Sequence, residues 1–170
     1  MPDDNTELQR LRDAIDGVDR QLVETLSDRA RLVQAIGQLK KGSDTPTYVP
    51  HRERQVIDKV LALNPGPLPD RALEAIYREL MSGSFRLESG LNIGFLGPKG
   101  SFSHLAASRH FGVSVDCDPL GSIPEVFEAV AGKRCDYGLV PYENSISGGV
   151  ADTLDAFQAF DVTICAETPI

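Results

Sequence analysis

The sequence predicts two unlike parts in series: an all-helical first half and an α/β second half built on a mostly parallel sheet. Three observations carry this. Apolar residues recur at steps of three and four through most of the first half, short β-type runs alternate with helical stretches beyond residue 90, and the charge density drops between the halves. Residues 1–90 hold 13 Lys/Arg and 15 Asp/Glu, whereas residues 91–170 hold 4 and 10 and are richer in glycine. The boundary is expected near Gly90, giving domains 1–90 and 91–170.

The first helix rests on Leu8, Leu11, Ile15, Val18, Leu22, Leu26, Val33 and Ile36. It should stop near Lys41-Gly42-Ser43, and Pro46 and Pro50 mark a short connection. A second helix follows Pro50 with Val56, Val60 and Leu63. Asn64-Pro65-Gly66-Pro67 interrupts the pattern, and Pro69-Asp70 opens a third helix with Leu73, Ile76, Tyr77 and Leu80 inward. A helix of roughly 33 residues spans about 50 Å. Two shorter helices cannot cover that length, so its apolar stripe is expected to meet a second copy of the chain.

In the second half, Leu91–Leu96 reads as a strand, Ser103–Phe111 as a helix, Val113–Cys117 as a strand and Ile123–Ala131 as a helix. A strand at Tyr137–Pro141, a helix at Val150–Phe160 and a strand at Val162–Ala166 complete a βαβαβαβ run, the signature of parallel strands with helical crossovers.

The 170 residues are 41% apolar, 25% charged and 6% aromatic, an ordinary globular composition. No apolar run approaches the roughly 18 residues of a membrane span, and the acidic N-terminus lacks a secretory layout. A cytoplasmic protein with no membrane partner is expected. The net charge of −8 argues against nucleic acid, which needs a clustered cationic face. Cys117, Cys135 and Cys165 are odd in number and widely spaced, so reduced, mostly buried thiols are expected, with no metal site. His51, His104 and His110 receive no role.

The three-and-four ladder of the first helix carries cations where aliphatic residues would be expected, at Arg29 and Lys40. A buried unpaired cation is costly, although long basic side chains can also reach water. Leu73, Tyr77, Leu80, Ser84 and Glu88 share one ladder of the third helix, and Arg52 and Glu53 precede Val56 on the second. Arg29 and Lys40 are about 16 Å apart along the axis on nearly one face, so both can reach a small molecule between them. Arg12 lies roughly 25 Å from Arg29 and could join only from an antiparallel partner chain. The pattern fits a compact dianion held between two protomers.

These residues carry a resemblance. Leu11-Arg12, Ile15 and Asp19, Arg29, Lys40, His51-Arg52-Glu53-Arg54 and Tyr77-Arg78-Glu79-Leu80-Met81-Ser82 are similar to the all-helical chorismate mutases. Gly97-Pro98-Lys99-Gly100-Ser101-Phe102-Ser103 and Asp136-Tyr137-Gly138-Leu139-Val140-Pro141-Tyr142-Glu143-Asn144-Ser145, with Gly149 and Thr153-Leu154-Asp155, resemble the signature blocks of prephenate dehydratases. The order matches the bifunctional mutase–dehydratase family. The resemblance implies a multi-domain fold: a three-helix mutase domain forming an intertwined helical homodimer, then the first α/β lobe of a two-lobed, periplasmic-binding-protein-like dehydratase domain.

The resemblance also implies function. The first half would convert chorismate to prephenate with no cofactor, by positioning and electrostatics. Arg12 of the partner chain and Arg29 would grip the substrate carboxylates, Lys40 would face the ether oxygen, Arg52 and Glu53 would order the site and bind the ring hydroxyl, and Ser84 would lend support. Glu88 would also face the ether oxygen, where it must be protonated to donate a hydrogen bond. Mutase activity should then fall as pH rises, and Glu88→Gln should flatten the profile.

The second half would convert prephenate to phenylpyruvate in phenylalanine biosynthesis. Ser101, Phe102 and Ser103 lie in a glycine loop entering a helix, which can offer backbone N–H groups to anions. Glu143, Asn144 and Ser145 end a strand, where ligands gather in parallel sheets, although a simple turn with a helix cap has the same composition. Family members carry a Thr-Arg-Phe motif and a regulatory domain further on. The chain is therefore expected to be truncated within the dehydratase part and to lack dehydratase turnover. Two other readings stay open: a non-catalytic ligand-binding or regulatory dimer, and a monofunctional mutase with a vestigial tail.

Overall fold

In the computed structural model, which describes residues 4–41, 48–88, 90–145 and 148–170, helix α1 runs Asp4–Lys40. It starts a turn earlier than its apolar ladder does, because Asp4 and Glu7 favour the positive end of the helix dipole and Lys40 the negative end. At 37 residues it is about 55 Å long. Leu11, Ile15, Val18 and Leu22 are each about half exposed. The chain divides into two compact units, residues 1–43 and 44–170.

In the second unit, α2 runs Pro50–Ala62 and α3 runs Asp70–Glu88. Val49 is the extended N-cap of α2, and proline follows where its missing N–H costs nothing. The turn between the helices is organised by Asn64, whose Nδ2 donates to Leu68 O at 2.8 Å and to Asp70 Oδ1 at 2.7 Å. Its Oδ1 accepts from Gly66 N at 3.1 Å, and Gly66 adopts the left-handed φ of 72° that this turn requires.

The remaining elements are β1 (Asn92–Leu96), α4 (Phe102–Phe111), β2 (Asp116–Leu120), α5 (Ile123–Ala131), β3 (Tyr137–Leu139), β4 (Glu143–Asn144), β5 (Gly148–Gly149) and α6 (Ala151–Ala159). The first three strands form a parallel sheet in the order β2-β1-β3. Side chains alternate along β1: Phe95 stacks on His104 of α4, while Gly94, in register with Gly138, faces the other way. A Cβ on Gly138 would come within 2.7 Å of Val126 of α5. Bare glycine at that point lets α5 lie directly on the sheet, on the face opposite α4.

Three sequence expectations are corrected. The second strand is Asp116–Leu120, not Val113–Cys117, because Ser114 is drawn to α3: its amide donates to Ser82 Oγ at 3.1 Å and its hydroxyl bonds Glu79. The strand itself reads Asp-Cys-Asp-Pro-Leu, and as a sheet edge it tolerates the proline. Residues 162–166 form no strand. Ile164 is exposed, and the segment meets no ladder partner among the described residues. The hairpin β4–β5 is antiparallel and was not expected. Of the cysteines, Cys135 is buried, Cys117 half-buried and Cys165 exposed, so the thiols are not uniformly core residues.

Helices α2 and α3 share a core with the sheet. Tyr48, Leu91, Ile93, Phe111 and Val115 are buried together, with Phe85 and Tyr137 against them. Glu79 adds a second tie, accepting from Val113 N at 3.0 Å. Gly112, at a φ of 80°, lies so close to α3 that a Cβ there would be 2.5 Å from Ser82 Cβ.

Candidate functional site

The dehydratase-type motifs occupy the loops after β1 and β3. These strands are adjacent and parallel, so both loops leave the same end of the sheet. The connection from β1 runs through α4 to one side and the connection from β2 returns past β1 to β3, which makes the space between β1 and β3 a topological switch point. Ser101 is the N-cap of α4: its Oγ accepts from His104 N at 3.2 Å and donates to Leu96 O at 3.2 Å. The hydroxyl thereby binds the helix start to the end of β1. Gly100, at a φ of 88°, presents its N–H to His104 Nδ1 at 3.1 Å. Phe102 is 81% exposed, whereas Ser103 is buried.

The second loop is fastened from below. Thr153, buried in α6, donates its hydroxyl to Pro141 O at 2.7 Å, and Val150 N donates to Tyr142 O at 2.9 Å. Glu143 and Asn144 form β4, in register with Gly149 and Gly148, and Ser145 follows in the turn. All three are exposed. A groove of about 910 Å³ runs elsewhere, along α4 and the β2 edge past Lys99, Ser108 and Asp118, and none of the six dehydratase-type residues lines it.

The mutase-type residues divide between the two units. Arg12, Arg29 and Lys40 stand on α1, where Arg12 is exposed and the other two half-buried. Arg52 and Glu53 lie in the first turns of α2, and Ser84 and Glu88 are one turn apart on α3. Arg52 is exposed; Ser84 is buried and donates to Leu80 O at 2.7 Å. Glu53 is half-buried and shares a hydrogen bond with the Tyr48 hydroxyl. Burial raises its carboxyl above the ordinary value, against the opposing pull of Tyr48 and Arg78.

Sequence reasoning overlooked Tyr48 and His110. Tyr48 Oη lies 2.7 Å from His110 Nε2, and Tyr48 O accepts from the Tyr137 hydroxyl at 2.8 Å. Burial, reinforced by the Glu53 charge, pushes the Tyr48 phenol strongly upward, and burial with Arg78 lowers the His110 imidazole. One signal was available. Tyr48 precedes the N-cap and Glu53 is the fourth helical residue, the pair of positions that face each other in a helix-start staple.

Fold and loops together define a class: an α/β ligand-binding segment, with its loops at a switch point, joined to a helical segment. Comparison with known proteins resolves both. Residues 11–89 match the family model of chorismate mutase type II, and residues 93–170 match that of prephenate dehydratase. A bifunctional chorismate mutase/prephenate dehydratase of Aquifex aeolicus is 43% identical over 168 residues, which are 96% of this chain and 46% of that protein. One of Stutzerimonas stutzeri is 38% identical over 169 residues, again 96% of this chain and 46% of that protein. A solved chorismate mutase (form II) of Thermus thermophilus is 39% identical, with a TM-score of 0.47, over 48% of this chain and 93% of that one. The chain belongs to the chorismate mutase/prephenate dehydratase family, and it spans about half the length of the curated relatives it matches.

Proposed function

We propose that this chain catalyses the rearrangement of chorismate to prephenate and carries part of the apparatus that turns prephenate into phenylpyruvate, in the synthesis of phenylalanine. The observation that carries the reading is the tandem of two family matches in the order of the bifunctional relatives. The charged rungs Arg29 and Lys40 on an otherwise apolar helical ladder agree with it.

The mutase reaction is unimolecular, so the residues need only fix a reactive conformer and stabilise charge as the ether bond breaks. Arg29, with Arg12 contributed by a second protomer, grips the two carboxylates. Lys40 and a protonated Glu88 face the ether oxygen. Arg52, Glu53 and Ser84 hold the ring hydroxyl and order the surroundings. The protein acts as a homodimer in the cytoplasm, and the half-exposed apolar ladder of α1 supports the dimer, since a stripe of that length is costly to leave in water.

For prephenate, the Ser101–Ser103 loop and Glu143–Ser145 supply donors to carboxylates at the switch point, with Phe102 packing on the ring. The domains are residues 1–90 and 91–170 in function. The deciding experiment follows the loss of chorismate absorbance on mixing with the purified chain. Turnover abolished by Arg29→Ala or Lys40→Ala is expected. Ligand-dependent stabilisation without turnover would overturn the enzyme in favour of a binding module.

A further inference from the structure

We propose that Tyr48 is a positioning residue for the mutase reaction: its hydroxyl holds the Glu53 carboxylate in place and ties it to His110 of α4, so that the sheet-bearing half sets the aim of a mutase residue. The inference rests on the mutase reading above and deepens it.

The geometry is over-determined around the phenol. Tyr48 is 2% exposed. Its ring meets Phe85 of α3 at 5.5 Å, Phe111 of α4 at 5.1 Å and Tyr137 of β3 at 5.3 Å, all edge-on or steeply inclined. Its own carbonyl is held by the Tyr137 hydroxyl at 2.8 Å. A side chain fixed from three elements loses little further entropy when it orients a fourth group.

Proton counting gives the chain of bonds a direction. A phenol has one hydrogen to donate, and an ionised carboxylate can only accept. Tyr48 therefore donates to Glu53, and its oxygen accepts from His110, which must carry its hydrogen on Nε2. The second Glu53 oxygen stays available for a substrate hydroxyl. Burial and the Arg78 charge both keep His110 neutral, as this arrangement requires.

Losing the Tyr48 hydroxyl frees Glu53 without touching the ring packing. A contact to the ring hydroxyl is made in ground state and transition state alike, so its weakening appears in KM more than in kcat. The experiment compares steady-state chorismate turnover by the full chain with that of Tyr48→Phe, His110→Ala, Glu53→Gln and the double variant Tyr48→Phe/Glu53→Gln. Tyr48→Phe is expected to raise KM about tenfold with kcat within about threefold. His110→Ala should raise KM in the same direction although it lies in α4, and Tyr48→Phe should add nothing once Glu53 is glutamine.

A KM within twofold of the unmodified chain in both single variants, or an undiminished Tyr48→Phe effect in the Glu53→Gln background, overturns the positioning role alone. An unmodified chain that leaves chorismate untouched overturns the mutase reading and this inference together.

Discussion

Thr153→Val isolates the bond that fastens the Pro141–Ser145 loop to α6. Valine keeps the volume and branching of threonine, so the buried packing is retained while the 2.7 Å bond to Pro141 O is lost. Thr153 is 1% exposed and Pro141 half-buried, so the carbonyl regains water only in part. A net hydrogen bond is worth about 1 kcal/mol and an unsatisfied buried acceptor costs about 1–3 kcal/mol, which brackets the effect at about 1–2 kcal/mol. The loss is local, because the neighbouring Val150 amide to Tyr142 O remains the sole other printed tie between α6 and this loop among the described residues. Amide hydrogen exchange reads it directly. Exchange at Val150 should accelerate about 5- to 30-fold, as that free energy dictates, while Phe95 in β1 keeps its rate. An unchanged Val150, or an equal acceleration at Phe95, would refute the argument that Thr153 acts as a local clasp.

Further outcomes follow from the same structure. Because burial holds the folded His110 below its ordinary value of 6.5, the unfolded chain binds the extra proton. The contribution is full above that value and is lost as pH falls through the lowered folded pKa. Acidification from neutrality to about pH 5 should therefore lower the unfolding midpoint, and His110→Gln should respond less. Gly138→Ala drives a methyl to 2.7 Å from Val126 Cγ1, and calorimetry should show a loss of about 1–3 kcal/mol, partly recovered by adding Val126→Ala. If Arg12 serves the partner's site, two inactive variants should complement each other. Mixing Arg12→Ala with Arg29→Ala chains should restore about a quarter of the unmodified chorismate turnover, since half the dimers are mixed and each has one intact site.

The sequence by itself determined the elements whose evidence is local. α1, α2 and α3 follow from apolar spacing and from proline and asparagine at their ends, and Ile123–Ala131 matches α5 to the residue. There Ser122 accepts from Glu125 N at 3.3 Å while Glu125 accepts from Gly121 N at 2.8 Å, a start signal written in four residues. The motif loops after β1 and β3 were legible in the same way, as glycine-rich punctuation between periodic segments.

Tertiary structure alone decided what depends on a distant partner. Asp116–Leu120 is a strand because β1 lies beside it, despite two aspartates and a proline, and residues 162–166 are not a strand despite their β-type composition. A strand's hydrogen bonds are made to another segment, so its own residues cannot guarantee it. The same holds for Tyr48 and His110. They are 62 positions apart, and only the packing of α2 and α3 on the sheet brings the phenol, the imidazole and the Glu53 carboxylate into one line, since buried polar groups must find partners wherever the fold supplies them.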